Sequence, residues 1–99
     1  MTRFTNPLDT LLAGEASASL AHGGKRLRKA LDALRRFDEV NAYAPDTERA
    51  ALVAEAGDAL WCYIVHREIL GLLDADYILR EYQVPEEVRK AMGPRRRSS

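Results

Sequence analysis

The sequence predicts an all-α fold, a long antiparallel helical hairpin followed by two short C-terminal helices. Apolar or small residues recur in steps of three and four at Leu8, Leu12, Ala16, Leu20, Gly24, Leu27, Leu31 and Leu34, which is one face of a helix. A second stripe of the same period, Leu52, Ala56, Leu60, Tyr63, Arg67 and Leu70, follows Pro45. No stretch alternates apolar and polar residues as a half-buried strand would.

Each element has its own start and stop signals. Asn6 caps the first helix, Pro7 suits its first position, and Asp9 favours the positive end of the helix dipole. The stripe fades from Phe37 to Val40, and Asn41 to Pro45 reads as the connection. Pro45 with Asp46 as cap opens helix two, and Gly71 marks its end or a kink. Asp74 caps a third helix from Ala75 to about Tyr82. Pro85 at the first helical position, with Glu86 and Glu87 in the first turn, opens a fourth, which stops at Gly93-Pro94. Residues 1–94 form one helical domain on this reading, and 95–99 a disordered basic tail with nothing to bury.

Folding the two long helices together about residue 43 pairs positions whose numbers sum to 86 or 87. Leu34 meets Leu52, Leu31 meets Ala56, Leu27 meets Leu60, Gly24 meets Tyr63, Leu20 meets Arg67 and Ala16 meets Leu70. Gly23 and Gly24 fall opposite Trp61 and Tyr63, where missing side chains make room for large ones. Each mid-helix glycine costs about 1 kcal/mol relative to alanine, so a packing reason is expected. A break of helix one at this pair is the alternative.

Bulk properties narrow the class. With 46% hydrophobic and 30% charged residues, the chain is too apolar for a disordered protein and suits one globular core. A single cysteine, Cys62, excludes an internal disulfide. No apolar run reaches the ~18 residues of a membrane span, and the first residues lack the apolar core of a signal peptide, so the expected compartment is the cytoplasm. Net charge is zero but segregated: +4 over residues 1–36, −9 over 37–88 and +5 over 89–99. A basic helix beside an acidic one suits a hairpin.

Helix two carries the most information. Besides the face toward helix one it has a second apolar face, with Val53, Gly57, Trp61, Ile64, Val65 and Leu72. A helix of some 30 residues is roughly 45 Å long, too long for a two-helix hairpin to cover its own apolar surface. The short helices and a second chain are expected to share that task. Trp61, Ile64, Val65, Leu72, Tyr77 and Ile78 are the expected partner contacts, and a homodimer is the expected partnership. The function expected is a non-enzymatic scaffolding or regulatory interaction module, without cofactor or metal.

Two rival readings rest on particular residues. Lys25, Arg26, Arg28, Lys29, Arg35 and Arg36 form a basic face that suits phosphate and hence nucleic acid, although the acidic middle segment opposes a polyanion. His66, Arg67 and Glu68 interrupt the greasiest stretch. They are expected as a buried polar network, Arg67 bonding near Ser19 or to Glu15, and alternatively as a small-ligand or metal site. Glu55, Asp58, Cys62 and His66 share one helical ridge of potential metal ligands. The expected roles there are a solvated face for the two acids and an apolar filler for Cys62. No nucleophile stands beside an evident base, so no catalytic residue is assigned.

The stretches Leu27 to Asp38, His66 to Leu72 and Tyr82 to Val88 resemble a group of short bacterial proteins catalogued as a domain of unknown function. The resemblance spans roughly Leu12 to Gly93. It implies a stand-alone helical domain, and since that group has no assigned activity, it transfers no role to any residue.

Overall fold

A computed structural model describes residues 7–41 and 46–93, with side-chain surroundings from residue 17 onward and at Gly14. The expected cap at Asn6, the 42–45 connection with Pro45, and the 95–99 tail lie outside the described residues. Four helices and no strand are present among the described residues: α1 Pro7–Val40, α2 Asp46–Ile69, α3 Ala75–Glu81 and α4 Glu86–Lys90.

α1 and α2 pack as the predicted hairpin. Leu27, Leu31 and Leu34 from α1 join Ala56, Leu60 and Tyr63 from α2 in one buried cluster with Ala30, Ala59, Ile64, Ile78 and Val88. α1 runs unbroken through Gly23-Gly24, and the reason is the packing expected from the register. A Cβ at Gly23 would stand 3.1 Å from Cδ1 of Tyr63, and one at Gly24 would stand 2.7 Å from the Tyr82 hydroxyl and 3.2 Å from that of Tyr63. The two glycines form a notch in α1 that receives two tyrosines. Trp61, expected there as well, is only half-buried.

α2 ends in a hydrogen-bonded reversal. Gly71, at φ +87°, donates its N–H to the Glu68 carbonyl at 2.9 Å, and the Leu72 N–H reaches back to the Arg67 carbonyl at 2.8 Å. These are the two bonds of a Schellman motif, with glycine in the left-handed position. α3 ends the same way: the Gln83 N–H bonds the Arg80 carbonyl at 3.1 Å, and that of Val84 the Leu79 carbonyl at 3.0 Å. Here the left-handed residue is Gln83, at φ 53°, a conformation that costs a non-glycine residue about 1 kcal/mol. Gln83→Gly is expected to raise the unfolding free energy by a few tenths to about 1 kcal/mol, the smaller figure reflecting glycine's freer unfolded chain. Urea denaturation with an unchanged slope checks it.

Three expectations at element ends need correcting. Asp74 occupies the N-cap position of α3 but makes no side-chain cap bond, because its carboxylate is bonded to Arg67. Pro85 stands at the N-cap position of α4, extended at ψ 153°, not at its first helical residue. α4 closes at Ala91, before the expected Gly93-Pro94 stop. Its C-cap N–H already finds the Glu87 and Val88 carbonyls at 3.1 and 3.0 Å.

α3 and α4 return along the hairpin as a strap. Tyr82 sits at Gly24, Pro85 borders a concavity with Leu31 and Leu34, and Glu87 meets Arg49. The strap is fastened at α4 by a close approach, since a Cβ on Gly57 would lie 2.7 Å from the Ala91 carbonyl oxygen. Arg49 fastens it a second time. Its guanidinium donates to Asp38 of α1 at 2.7 and 3.0 Å and to both carboxylate oxygens of Glu87 of α4. One side chain on α2 thus bridges α1 and α4.

Candidate functional site

The tyrosine notch gathers the most polar chemistry inside the fold. Tyr63 and Tyr82 meet edge to face, with ring centroids 5.8 Å apart and planes at 70°. The Arg28 guanidinium lies 4.4 Å from the centroid of Tyr82, and that of Arg67 5.4 Å from the centroid of Tyr63. Arg67 also donates to the Tyr63 hydroxyl at 3.2 Å and grips the Asp74 carboxylate through Nε at 2.9 Å and through Nη2. The Schellman reversal after α2 creates this pair by turning the chain back so that Asp74 arrives beside Arg67.

Arg67 therefore does belong to a polar network, with different members from those expected. Tyr63 and Asp74 are its partners, Ser19 is exposed, and the expected bond to Glu15 lies outside the described side chains. His66 is half-buried and Glu68 exposed, so the two do not complete a buried triad with Arg67. α2 ends one residue after Glu68, and its last turn opens to water there.

The charges follow from this geometry. Hydrogen bonding to Arg67 holds the Asp74 carboxyl below the usual carboxylate range, and Asp74 in turn holds the Arg67 guanidinium more firmly protonated. Burial, and then a hydrogen bond with Tyr63, push the Tyr82 phenol up. Asp38 and Glu87 are lowered by Arg49, and Glu86 by Arg89. A carboxylate whose pKa is lower in the folded state contributes stability that is complete above its unfolded value and is lost as pH falls through the folded one. Melting temperature is expected to hold from neutral pH to about pH 5 and to fall below about pH 4, the unfolded carboxylate range. In Arg67→Gln the contribution of Asp74 to that fall disappears, which a melting series in acid checks.

The notch is a structural tie. No buried side-chain polar atom lacks a partner among the described residues. A second concavity, of about 450 Å³ between α2 and α4, has a floor of Ala50, Val53, Ala54 and Ala91. Arg49 and Glu87 on its rim already pair with each other.

The basic face of α1 is largely engaged within the chain. Arg26 donates to Glu55 and Asp58, in each case at 2.9 Å. Arg35 pairs with Asp32 at 2.8 Å, and Arg28 stacks on Tyr82. Lys25, Lys29 and Arg36 remain as exposed cations without a salt bridge among the described residues. On the ridge of potential metal ligands, Glu55 and Asp58 serve Arg26, and Cys62 is exposed where an apolar filler was expected. The described residues contain no group of three ligating side chains near enough to share an ion.

The expected partner contacts divide. Ile64 and Ile78 are buried in the chain's own core, because α3 and the strap cover that part of helix two, and they are unavailable as surface. Trp61 and Val65 are half-buried. Leu72 and Tyr77 are exposed, and around them lie Ile69 and Leu73, which the sequence reading passed over, and Leu70, which it placed on the face toward helix one but which follows the end of α2 and is exposed. Ile69 is 75% exposed, Leu73 82% and Tyr77 52%. Five large apolar side chains within nine residues thus face water at the corner where α2 turns into α3. The available signal was the run Ile69-Leu70-Gly71-Leu72-Leu73 itself, since a helix ending at Gly71 cannot carry its stripe further.

No helix among the described residues is long and apolar enough to cross a membrane. No curated protein and no solved structure matches the chain. A family model matches residues 4–99, nearly the whole sequence, and the chain belongs to that family, the family of unknown function DUF6665.

Proposed function

We propose that the protein is a non-enzymatic helical interaction module that acts as a homodimer and docks through the apolar corner between α2 and α3. The observation that carries this reading is the exposure of Ile69, Leu70, Leu72, Leu73 and Tyr77, all within nine residues of the chain. Singly scattered surface leucines need no explanation, but large apolar side chains exposed together mark an interaction site. The rest of the fold supports it, since the polar groups inside are tied to one another and the basic face retains few unpaired cations.

Mass by light scattering tests the proposal. A dimer held by apolar contact keeps twice the chain mass in low and in high salt. A single-chain mass at every concentration overturns it. Strong retention on heparin that salt abolishes would instead favour nucleic-acid binding through Lys25, Lys29 and Arg36.

A further inference from the structure

We infer that the apolar corner of each copy is covered by the projecting N-terminal arm of α1 from a second copy, the two chains embracing about a two-fold axis. The inference rests on the self-association proposed above and names the element that does the covering. α1 has 34 residues and α2 has 24, so α1 is longer by about 15 Å at 1.5 Å per residue. Gly24 is seated against Tyr63. Counting outward from that pair along antiparallel helices brings Ile69, the end of α2, level with residue 18. The residues of α1 before that point run on past the corner. Their surroundings agree: a Cβ built on Gly14 meets nothing within 4 Å, and Ser17, Ala18 and Ser19 are exposed. The long dimension of the molecule, 63 Å against 31 and 21 Å, fits a helix that overshoots its bundle.

Such an arm has a reason to seek a surface. A helical stretch of about ten residues is marginal in water by itself and depends on packing an apolar face. The arm's sequence continues the apolar stripe through Leu8, Leu12 and Ala16, and the exposed corner stands at the same end of the molecule. The corner is exposed with its own chain's arm in place, so the arm that covers the corner comes from another copy. Two-fold symmetry then satisfies both copies with one kind of contact. A specific interface buries roughly 1,200 Å² in total, and an arm of about three turns from each copy adds contact area that corner-to-corner pairing lacks.

Cross-linking between two single-cysteine chains tests the arrangement. In a Cys62→Ser background, one chain carries Gly14→Cys and the other Leu73→Cys. Both sites are exposed, and circular dichroism checks that each variant keeps its helix content and melting temperature. After mixing and subunit exchange, a short bismaleimide is expected to give several-fold more covalent dimer from the mixture than from either chain alone. If light scattering shows dimers but Leu73→Cys alone links as well as the mixture, or nothing links, the arm arrangement is wrong and self-association stands. If both chains and their mixture have single-chain mass, the arrangement and the homodimer fall together.

Discussion

Gly57→Ala is expected to lower the unfolding free energy by about 2 kcal/mol and to loosen α4 from the hairpin. On helix propensity alone alanine would gain about 1 kcal/mol at this position. The added Cβ, however, would stand 2.7 Å from the Ala91 carbonyl oxygen, 2.8 Å from its carbon and 2.9 Å from its Cβ. Two of those atoms are backbone, so no rotamer change relieves the clash and α4 itself must move. Overpacking of this kind costs up to about 3 kcal/mol, which outweighs the propensity gain. The displacement also pulls Glu87 from Arg49 and disturbs Val88, which is fully buried. Thermal unfolding should show a melting point lower by roughly 10 °C for a chain of this size. Gly24→Ala makes the contrasting case, because its close neighbours are the hydroxyl ends of Tyr82 and Tyr63. Those ends can shift, and its cost is expected to be well below that of Gly57→Ala.

Ile69→Asp combined with Leu73→Asp is expected to weaken the dimer at least a hundredfold, about 2.7 kcal/mol, while leaving the monomer's stability nearly unchanged. Both side chains are mostly in water in the single chain, and substitutions at such places usually change folding by no more than about 0.5 kcal/mol. Across the proposed contact the same change places two carboxylates per copy in an apolar surface, where unpaired charge is strongly disfavoured. Sedimentation equilibrium reads the dissociation constant, and urea denaturation at low concentration reads the fold. Native-like association by the double variant would remove the corner from the interface.

Periodicity made the hairpin legible, because the α1 and α2 stripes meet in one register and Gly24 against Tyr63 fixes it. The reason for the paired glycines was legible too, although half of the answer, Tyr82, comes from the strap. What stayed hidden depends on where short segments turn. Asp74 reads as a cap in any local view, and only the reversal at Gly71 shows that Arg67 claims it. Ile64 and Ile78 read as surface on helix two and α3 until the return of the strap puts both inside. The Arg49 bridge joins residues 38, 49 and 87 from three elements, a grouping that no spacing along the chain announces. Gly57 looked like one more small residue on an apolar face, and its role depends on the arrival of Ala91. The candidate site was half legible, with Leu72 and Tyr77 named, Leu70 placed on the face toward helix one, and Ile69 and Leu73 missed.

Self-association through the α2–α3 corner is tested most directly by methyl and amide NMR shifts followed as the native chain is diluted. The account predicts concentration-dependent shifts confined to Ile69 through Tyr77 and to the N-terminal arm of α1, with Leu27, Leu60 and Val88 unmoved. A spectrum that does not change with dilution and reports a single-chain tumbling time contradicts it, as does a response centred on Lys25, Lys29 and Arg36.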